Sequence, residues 1–262
     1  MIRVLVNGAD GRMGSQVVKA VVADNELELV SISHIGEDLG EIAGIGALGL
    51  AVRAGLGTAV DELKPDVVID FTTPQAVYGN VKTCIAHGVD IVVGTTGLTE
   101  KQREELGEEA KRGDTSLFIA PNFSIGAVLL MKVSADIAAY FPDAEIIELH
   151  HNNKLDAPSG TAVMTADKIA AARRKAGAVP APDRTRESLE GARGASVQAV
   201  PVHSVRLPGY VAHQEVLFGG YGEILTVRHD SLDRKSFMPG VILAVKKVSS
   251  RKGLTFGLEN YL

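Results

Sequence analysis

The first half of this chain alternates short β-branched runs with helical patterns, and that rhythm restricts the fold more than any other feature. Residues 2–7, 27–33, 66–71, 89–94 and 116–120 form such runs, each followed by a loop rich in Gly, Thr or Pro. Strands separated by helix-length segments cannot pair as tight hairpins. They line up in parallel, with the helices crossing over the sheet. Continuous runs such as Val67-Val68-Ile69 and Ile91-Val92-Val93 lack the polar alternation of a solvated face, so these strands should be covered on both sides. The region to about Pro121 therefore reads as a doubly wound α/β domain.

Beyond Pro121 the pattern changes. It predicts a helix over 125–140, a strand over 144–150 and an Ala-rich helix from about 161 to 174. Residues 177–195 carry several Pro and Arg without periodicity and are expected to form a mobile excursion. Three longer extended stretches follow, 196–206, 211–218 and 223–229, separated by Leu207-Pro208-Gly209 and Gly219-Gly220-Tyr221-Gly222. They point to a second, α+β domain with a mixed open sheet. The last helix, about 235–248, has the apolar spacing of one packed on a core.

Composition narrows the function classes. The net charge is −5 and no Lys/Arg stripe is present, which argues against nucleic acid as a partner. No apolar run approaches the roughly 18 to 20 residues of a membrane span. Met1-Ile2-Arg3 leads straight into Val4-Leu5-Val6 without a secretory-leader pattern, so a cytoplasmic protein is expected. Cys84 is the only cysteine, which excludes an internal disulfide and suits a small buried apolar side chain.

Strand 4–7 runs into Gly8-Ala9-Asp10-Gly11-Arg12-Met13-Gly14 and then a helix-forming segment. Glycines let a backbone approach a pyrophosphate closely, and the N–H groups at a helix start meet its charge. Ala9 stands where the first glycine of the strict G-x-G-x-x-G form would fall, and a tight turn without ligand is the plain alternative. The second strand ends Ser31-Ile32-Ser33-His34, with no acidic residue to bond a ribose 2′-hydroxyl. With Arg12, Ser33 and His34 at that position, NADPH is at least as well suited as NADH. Two more strand ends, Phe71-Thr72-Thr73-Pro74 and Gly94-Thr95-Thr96-Gly97, bring hydroxyls and backbone donors to the same sheet edge. Their plain reading is N-capping.

The most chemical stretch is residues 148–162, Glu-Leu-His-His-Asn-Asn-Lys-Leu-Asp-Ala-Pro-Ser-Gly-Thr-Ala, a strand passing through a polar loop into a helix. Successive strand residues face opposite ways, but at a strand end His150 and His151 can reach one pocket. Histidine exchanges protons near neutral pH, and Lys154 offers positive charge to a carboxylate. Ser159, Gly160 and Thr161 open the helix, where backbone N–H groups and hydroxyls grip anionic oxygen. Taken singly, each has a plain reading: a core histidine, a solvated lysine, a helix start. A metal is not expected, because the two histidines lack His-x-x-x-His spacing and a third ligand.

This segment closely resembles the signature of the dihydrodipicolinate reductase family, with its paired histidines, lysine and Asp-Ala-Pro-Ser-Gly-Thr-Ala. The resemblance extends along the chain to the Gly-Arg-Met-Gly loop, Gly94-Thr95-Thr96-Gly97, Ala120-Pro121-Asn122-Phe123-Ser124, 202–206, 218–223 and 234–237. It implies a Rossmann-like dinucleotide-binding domain from 1–121 and 233–262, and a substrate-binding and oligomerisation domain from 122–232. By carry-over, His150 is the proton donor and Lys154 assists it and binds substrate. His151, Ser159, Gly160 and Thr161 hold a carboxylate. Gly8, Ala9, Asp10, Gly11, Arg12 and Met13, with Gly94, Thr95, Thr96, Ala120, Pro121, Asn122 and Phe123, contact NADPH or NADH.

The implied reaction is reduction of 4-hydroxy-tetrahydrodipicolinate, a small cyclic dicarboxylate, on the route to diaminopimelate and lysine. A homotetramer, and closure about Asn122 and Asp233, are implied with it. Asn152-Asn153 replaces the basic or mixed pair often found there, and the second strand end lacks the family's usual acid. An amino-acid dehydrogenase, or a non-catalytic dinucleotide sensor, would account for the glycine loop but not for the whole segment 150–161.

Overall fold

The five apolar runs become parallel strands of one sheet: β1 (Ile2–Asn7), β2 (Leu27–Ile32), β3 (Val67–Asp70), β4 (Asp90–Val93) and β5 (Ser116–Ile119). Between them lie α1 (Gly14–Ala23), α2 (Leu39–Ala43), α3 (Leu56–Leu63), α4 (Val77–Ala86) and α5 (Glu100–Arg112). The computed structural model describes residues 1–32, 38–48 and 55–262. All four residues of β3, β4 and β5 are buried, as expected for strands covered on both faces. Leu5, Val68, Ile91 and Leu117 pack with Val81, Cys84 and Leu106 on one side. Across the sheet Phe118 stacks on Tyr261 at 4.6 Å between ring centroids. Helix α5 starts with a reciprocal capping box, in which Thr99 and Gln102 each satisfy the other's backbone N–H.

The second unit contains α6 (Ile125–Ala138), β6 (Asp143–His150), α7 (Gly160–Ala176), β7 (Ala195–Val197), β8 (Val200–Arg206), β9 (Ala212–Gly220) and β10 (Glu223–Ser231). Its sheet runs β10-β9-β6-β8-β7, with β6 and β8 parallel and the other pairs antiparallel. Helices α6 and α7 cover one face, where Leu130, Ile146, Ala166, Ile169, Val202 and Phe218 form the core. Ser159 caps α7 by accepting the Ala162 N–H, and Gly177 ends it in the left-handed region at φ 66°.

The chain then returns to the first sheet. A 3-10 turn at Arg234–Phe237 precedes α8 (Met238–Lys247), and β11 (Gly253–Phe256) adds beside β5, giving the order β11-β5-β4-β3-β1-β2. Chain contacts divide the protein into Met1–Ser124 with Phe237–Leu262, and Ile125–Ser236.

Four sequence expectations are corrected. The stretch 196–206 is two antiparallel strands, because Gln198 and Ala199 both take positive φ and turn the chain. Helix 235–248 is shorter, since Pro239 in its first turn lacks an N–H and fits only at a helix start. Strand β11 was not anticipated. The segment 177–195 lacks regular structure up to β7 but is tied down: Asp143 accepts the Ala181 N–H at 2.7 Å, and Arg193 pairs with Glu145 and Asp183.

Candidate active site

In the first unit the strand order reverses between β1 and β3, which stay paired to Asn7 and Asp70 at their carboxyl ends, the edge where open α/β sheets bind ligands. Gly8 sits there at φ 83°, and a Cβ on it would lie 2.5 Å from the Phe71 carbonyl oxygen. A Cβ on Gly14 would lie 2.0 Å from the Gly8 carbonyl oxygen. The loop is thus a backbone cradle that side chains would fill. Helix α1 follows without a side-chain cap from Met13, and its Ser15 and Gln16 N–H groups go to the Gly11 and Met13 carbonyls, each at 3.0 Å, so the loop and the helix start form one hydrogen-bonded turn.

A buried carboxylate organises this edge. Asp70, 0% exposed, accepts hydrogen bonds from Asn7 (3.0 Å), Asn80 (2.7 Å), and the Thr72 and Thr95 hydroxyls (2.9 and 2.7 Å). With the Thr72 N–H at 3.2 Å, five donors offset the cost of burying the carboxyl group. They also tie the ends of β1, β3 and β4 together. Beside the cradle an open cleft of about 290 Å3 is lined by Gly11, Arg12, Met13, Thr72, Gly94 and Thr96, among others.

The predicted cofactor residues fall into groups. Gly11–Met13 and Gly94–Thr96 meet at the cleft. Ala9 is buried beneath the loop, and Asp10 is exposed. The Thr95 hydroxyl is engaged by Asp70 and by the Thr72 N–H, so its part in the edge is structural. Ala120 and Phe123 are buried, and Phe123 packs 5.7 Å from Phe71 and 5.9 Å from Phe118 between centroids. Pro121 is exposed, and Asn122 accepts the Ser124 N–H at 2.8 Å. Ser33 and His34 lie outside the described residues.

In the second unit the segment 148–162 folds as strand, loop and helix. Strand β6 places Glu148 and His150 on one face, because residues two apart share a side. His150 Nδ1 lies 2.5 Å from Glu148 Oε2. Arg206, across from His150 on β8, donates from both terminal nitrogens to Glu148 at 2.8 and 2.7 Å. Burial alone would raise the Glu148 carboxyl, but hydrogen bonds from His150, Arg206 and Ser204 overturn this and hold it at about 2. The sequence reading missed Glu148 and Arg206 as site residues; the Glu-x-His spacing on a strand was the available signal.

His151 follows the strand half-buried, and its carbonyl accepts the Lys154 N–H at 3.1 Å. The Lys154 ammonium lies 2.7 Å from Asp156. Asp156 is held below its ordinary value by Lys154 and by backbone bonds that include the Gly160 N–H. Ser159 is buried; its N–H goes to Glu148 at 3.1 Å and its hydroxyl accepts from Ala162 at 3.2 Å. Ser159 therefore fixes the loop to the strand, while Gly160 is exposed and Thr161 half-buried at the helix start. Among the described residues no group of three or more His, Cys, Asp or Glu is placed to hold a metal ion. No described helix is long and apolar enough to cross a membrane.

Comparison with known proteins gives the same answer in both halves. Residues 2–123 match the family described as dihydrodipicolinate reductase, N-terminus, and residues 126–262 match dihydrodipicolinate reductase, C-terminus. The chain is 51% identical to the 4-hydroxy-tetrahydrodipicolinate reductase of Listeria monocytogenes serotype 4b over 266 residues, covering 100% of both. It is 50% identical to that of Streptomyces avermitilis over 262 residues, covering 100% of this chain and 98% of the relative. A solved structure of dipicolinate-bound dihydrodipicolinate reductase from Paenisporosarcina sp. TG-14 superposes with a TM-score of 0.89 at 44% identity, covering 100% of each chain. An amine dehydrogenase from Mycobacterium smegmatis, at 14% identity and a TM-score of 0.63, shares the fold. The chain belongs to the dihydrodipicolinate reductase family.

Proposed function

We propose that this chain reduces 4-hydroxy-tetrahydrodipicolinate to tetrahydrodipicolinate with NADPH or NADH, in the biosynthesis of diaminopimelate and lysine. The observation that carries the reading is segment 148–162. One strand-loop-helix passage brings a carboxylate-bonded histidine, a lysine and a helix start together, in a chain about half identical over its full length to relatives of that name. Dipicolinate, bound by the similar Paenisporosarcina protein, is a flat ring with two carboxylates and fits the surplus of donors here.

The unit Met1–Ser124 with Phe237–Leu262 is the dinucleotide-binding domain, and Ile125–Ser236 the substrate-binding and oligomerisation domain. The Gly8–Met13 loop would hold the pyrophosphate through backbone N–H groups, with Gly94, Thr95 and Thr96 on the neighbouring loop and 120–123 beside it. When bound, the nicotinamide supplies a hydride. Reduction of a conjugated imine ring leaves negative charge on it. That conjugated ring forms when the substrate's 4-hydroxyl leaves as water with a proton from the adjacent ring carbon; after hydride addition His150 neutralises the charge by giving a proton to the ring and becomes a neutral imidazole. Lys154 lends positive charge beside it, and His151, Gly160 and Thr161 orient a carboxylate.

Assembly as a homotetramer belongs to the same reading. Strand β10 exposes Ile224 at 77% and Leu225 at 39%, and a mostly exposed apolar sheet edge calls for a cover. A cytoplasmic location, where reduced nicotinamide cofactors are available, completes it.

The test is nicotinamide oxidation, followed by absorbance, with freshly generated 4-hydroxy-tetrahydrodipicolinate and each cofactor in turn. Turnover is expected; cofactor binding without turnover would favour a sensing module instead. Light scattering in solution checks the tetramer.

A further inference from the structure

Glu148 has no role in the reaction as described above, yet it is the most completely bonded carboxylate near His150. It is 0% exposed. One oxygen faces His150 Nδ1 and Arg206 Nη1, the other faces Arg206 Nη2 and the Ser159 N–H. Arg206 also donates to the Asp156 carbonyl at 2.7 Å, which joins β8 to the loop that carries Lys154. Strand, neighbouring strand, loop and helix start therefore converge on one carboxylate.

Such a carboxylate is an acceptor only, because the surrounding hydrogen bonds keep it ionised. Its partner on the imidazole must then be an N–H. We propose that Glu148 is a positioning residue: it accepts the Nδ1 proton of His150 and leaves Nε2 as the nitrogen that gives a proton to substrate, while Arg206 clamps Glu148 in place. The step balances simply. An imidazolium protonated on both nitrogens gives the Nε2 proton to the reduced ring, and the N–H electron pair stays on Nε2 of the neutral imidazole. Nδ1 keeps its proton throughout. The proposal rests on His150 being the proton donor, as in the proposed function.

Charged groups flank the imidazole on its own strand, on β8 and on the following loop. Glu148 lies on its own strand and Arg206 on β8; the following loop brings His151, Lys154 and Asp156. Strand β9 places Ala212 across from His150, and α7 has no charged side chain before Asp167. Removing the Glu148 charge leaves Arg206 uncompensated beside the imidazolium. Removing the Arg206 charge leaves Glu148 uncompensated instead. The two changes should therefore move the titration of the donor in opposite directions, which loss of packing alone would not do.

The experiment has two arms. In the first, 15N NMR of histidine-labelled wild type, assigned by comparison with His150→Gln, reads the tautomer of His150 at a pH where it is neutral. Nδ1–H is expected; an Nε2–H tautomer would overturn the proposal whether or not the protein turns over. The second arm measures the pH profile of kcat. Because the protonated histidine is the active form, activity falls as pH rises through its titration. Glu148→Gln should move that alkaline limb to lower pH and reduce kcat at least ~100-fold, a wrong-tautomer penalty of the kind seen in catalytic triads. Arg206→Met should move the limb to higher pH. Limbs that move together, or not at all, in folded variants would sink the proposal while leaving the reductase reading intact. Absence of wild-type turnover would instead sink the reading, and the tautomer would still decide the role of Glu148.

Discussion

The Lys154 ammonium lies 2.7 Å from the Asp156 carboxylate, which also accepts the Gly160 N–H at the start of α7. A carboxylate of the protein thus sits between the cation and the helix start assigned to a carboxylate of the substrate. Asp156 is more than half exposed, so the pair is screened and its strength modest. Replacing Asp156 by Asn removes a competing negative charge. Dipicolinate should then bind about threefold more tightly by calorimetric titration, a change within the range of an exposed ion pair. Weaker binding would mean that Asp156 supports the substrate site rather than competing for it.

Glu148 also links stability to pH. Its folded carboxyl titrates near 2, below its ordinary 4.5, so the folded state favours the charged form. The stabilisation is fully present above about pH 4.5 and is lost as pH falls through 2. The shift corresponds to about 3 kcal/mol for a group buried in the fold. Urea unfolding between pH 5 and pH 2.5 should show stability falling with acid in the wild type and a shallower fall in Glu148→Gln. Parallel curves would contradict the assignment.

Different glycines carry opposite predictions. A Cβ on Gly14 would collide with the Gly8 carbonyl, so Gly14→Ala should lower the melting temperature and weaken NADPH binding at least ~10-fold, as backbone displacement breaks phosphate contacts. Gly79 lies within α4, and a Cβ added there would meet nothing within 4 Å. Gly79→Ala should therefore stabilise the protein by about 0.5–1 kcal/mol through helix propensity. Thermal melts and fluorescence titration separate the two.

Cys84 is fully buried on α4, and burial with the nearby Asp70 pushes its thiol far up. A buried thiol gives little thiolate, the reactive form. Aromatic disulfide reagents should leave native protein unlabelled and label it stoichiometrically in denaturant. Rapid labelling of native protein would show that the first sheet's helical layer opens readily.

What the sequence disclosed follows from where each signal lies. Continuous apolar runs between Gly, Thr and Pro loops marked β1 to β5 within a residue or two at each end. Strand β11 escaped because Gly253-Leu254-Thr255-Phe256 is four residues long and stabilised by β5, well over a hundred residues earlier in the chain. The β7–β8 turn escaped because Gln198 and Ala199 carry no turn signal and take positive φ in their tertiary setting. At the site, His150, Lys154 and the start of α7 were legible because they are adjacent in sequence. The clamp on Glu148 was not, since Arg206 is 58 residues away and parallel pairing of β6 with β8 brings it there. Ser159, assigned to substrate from the motif, has its N–H and hydroxyl engaged in fixing the loop and helix start.

The most direct test of the proposed chemistry is steady-state turnover of 4-hydroxy-tetrahydrodipicolinate by wild type, His150→Gln and Lys154→Ala, each checked for folding by circular dichroism and for cofactor binding. Wild-type turnover is expected, with a fall in kcat of about 100-fold or more in His150→Gln at nearly unchanged cofactor affinity, and a rise in KM with a fall in kcat in Lys154→Ala. Wild-type-like kcat in a folded His150→Gln protein would contradict the assignment of His150, because the proton would then come from elsewhere.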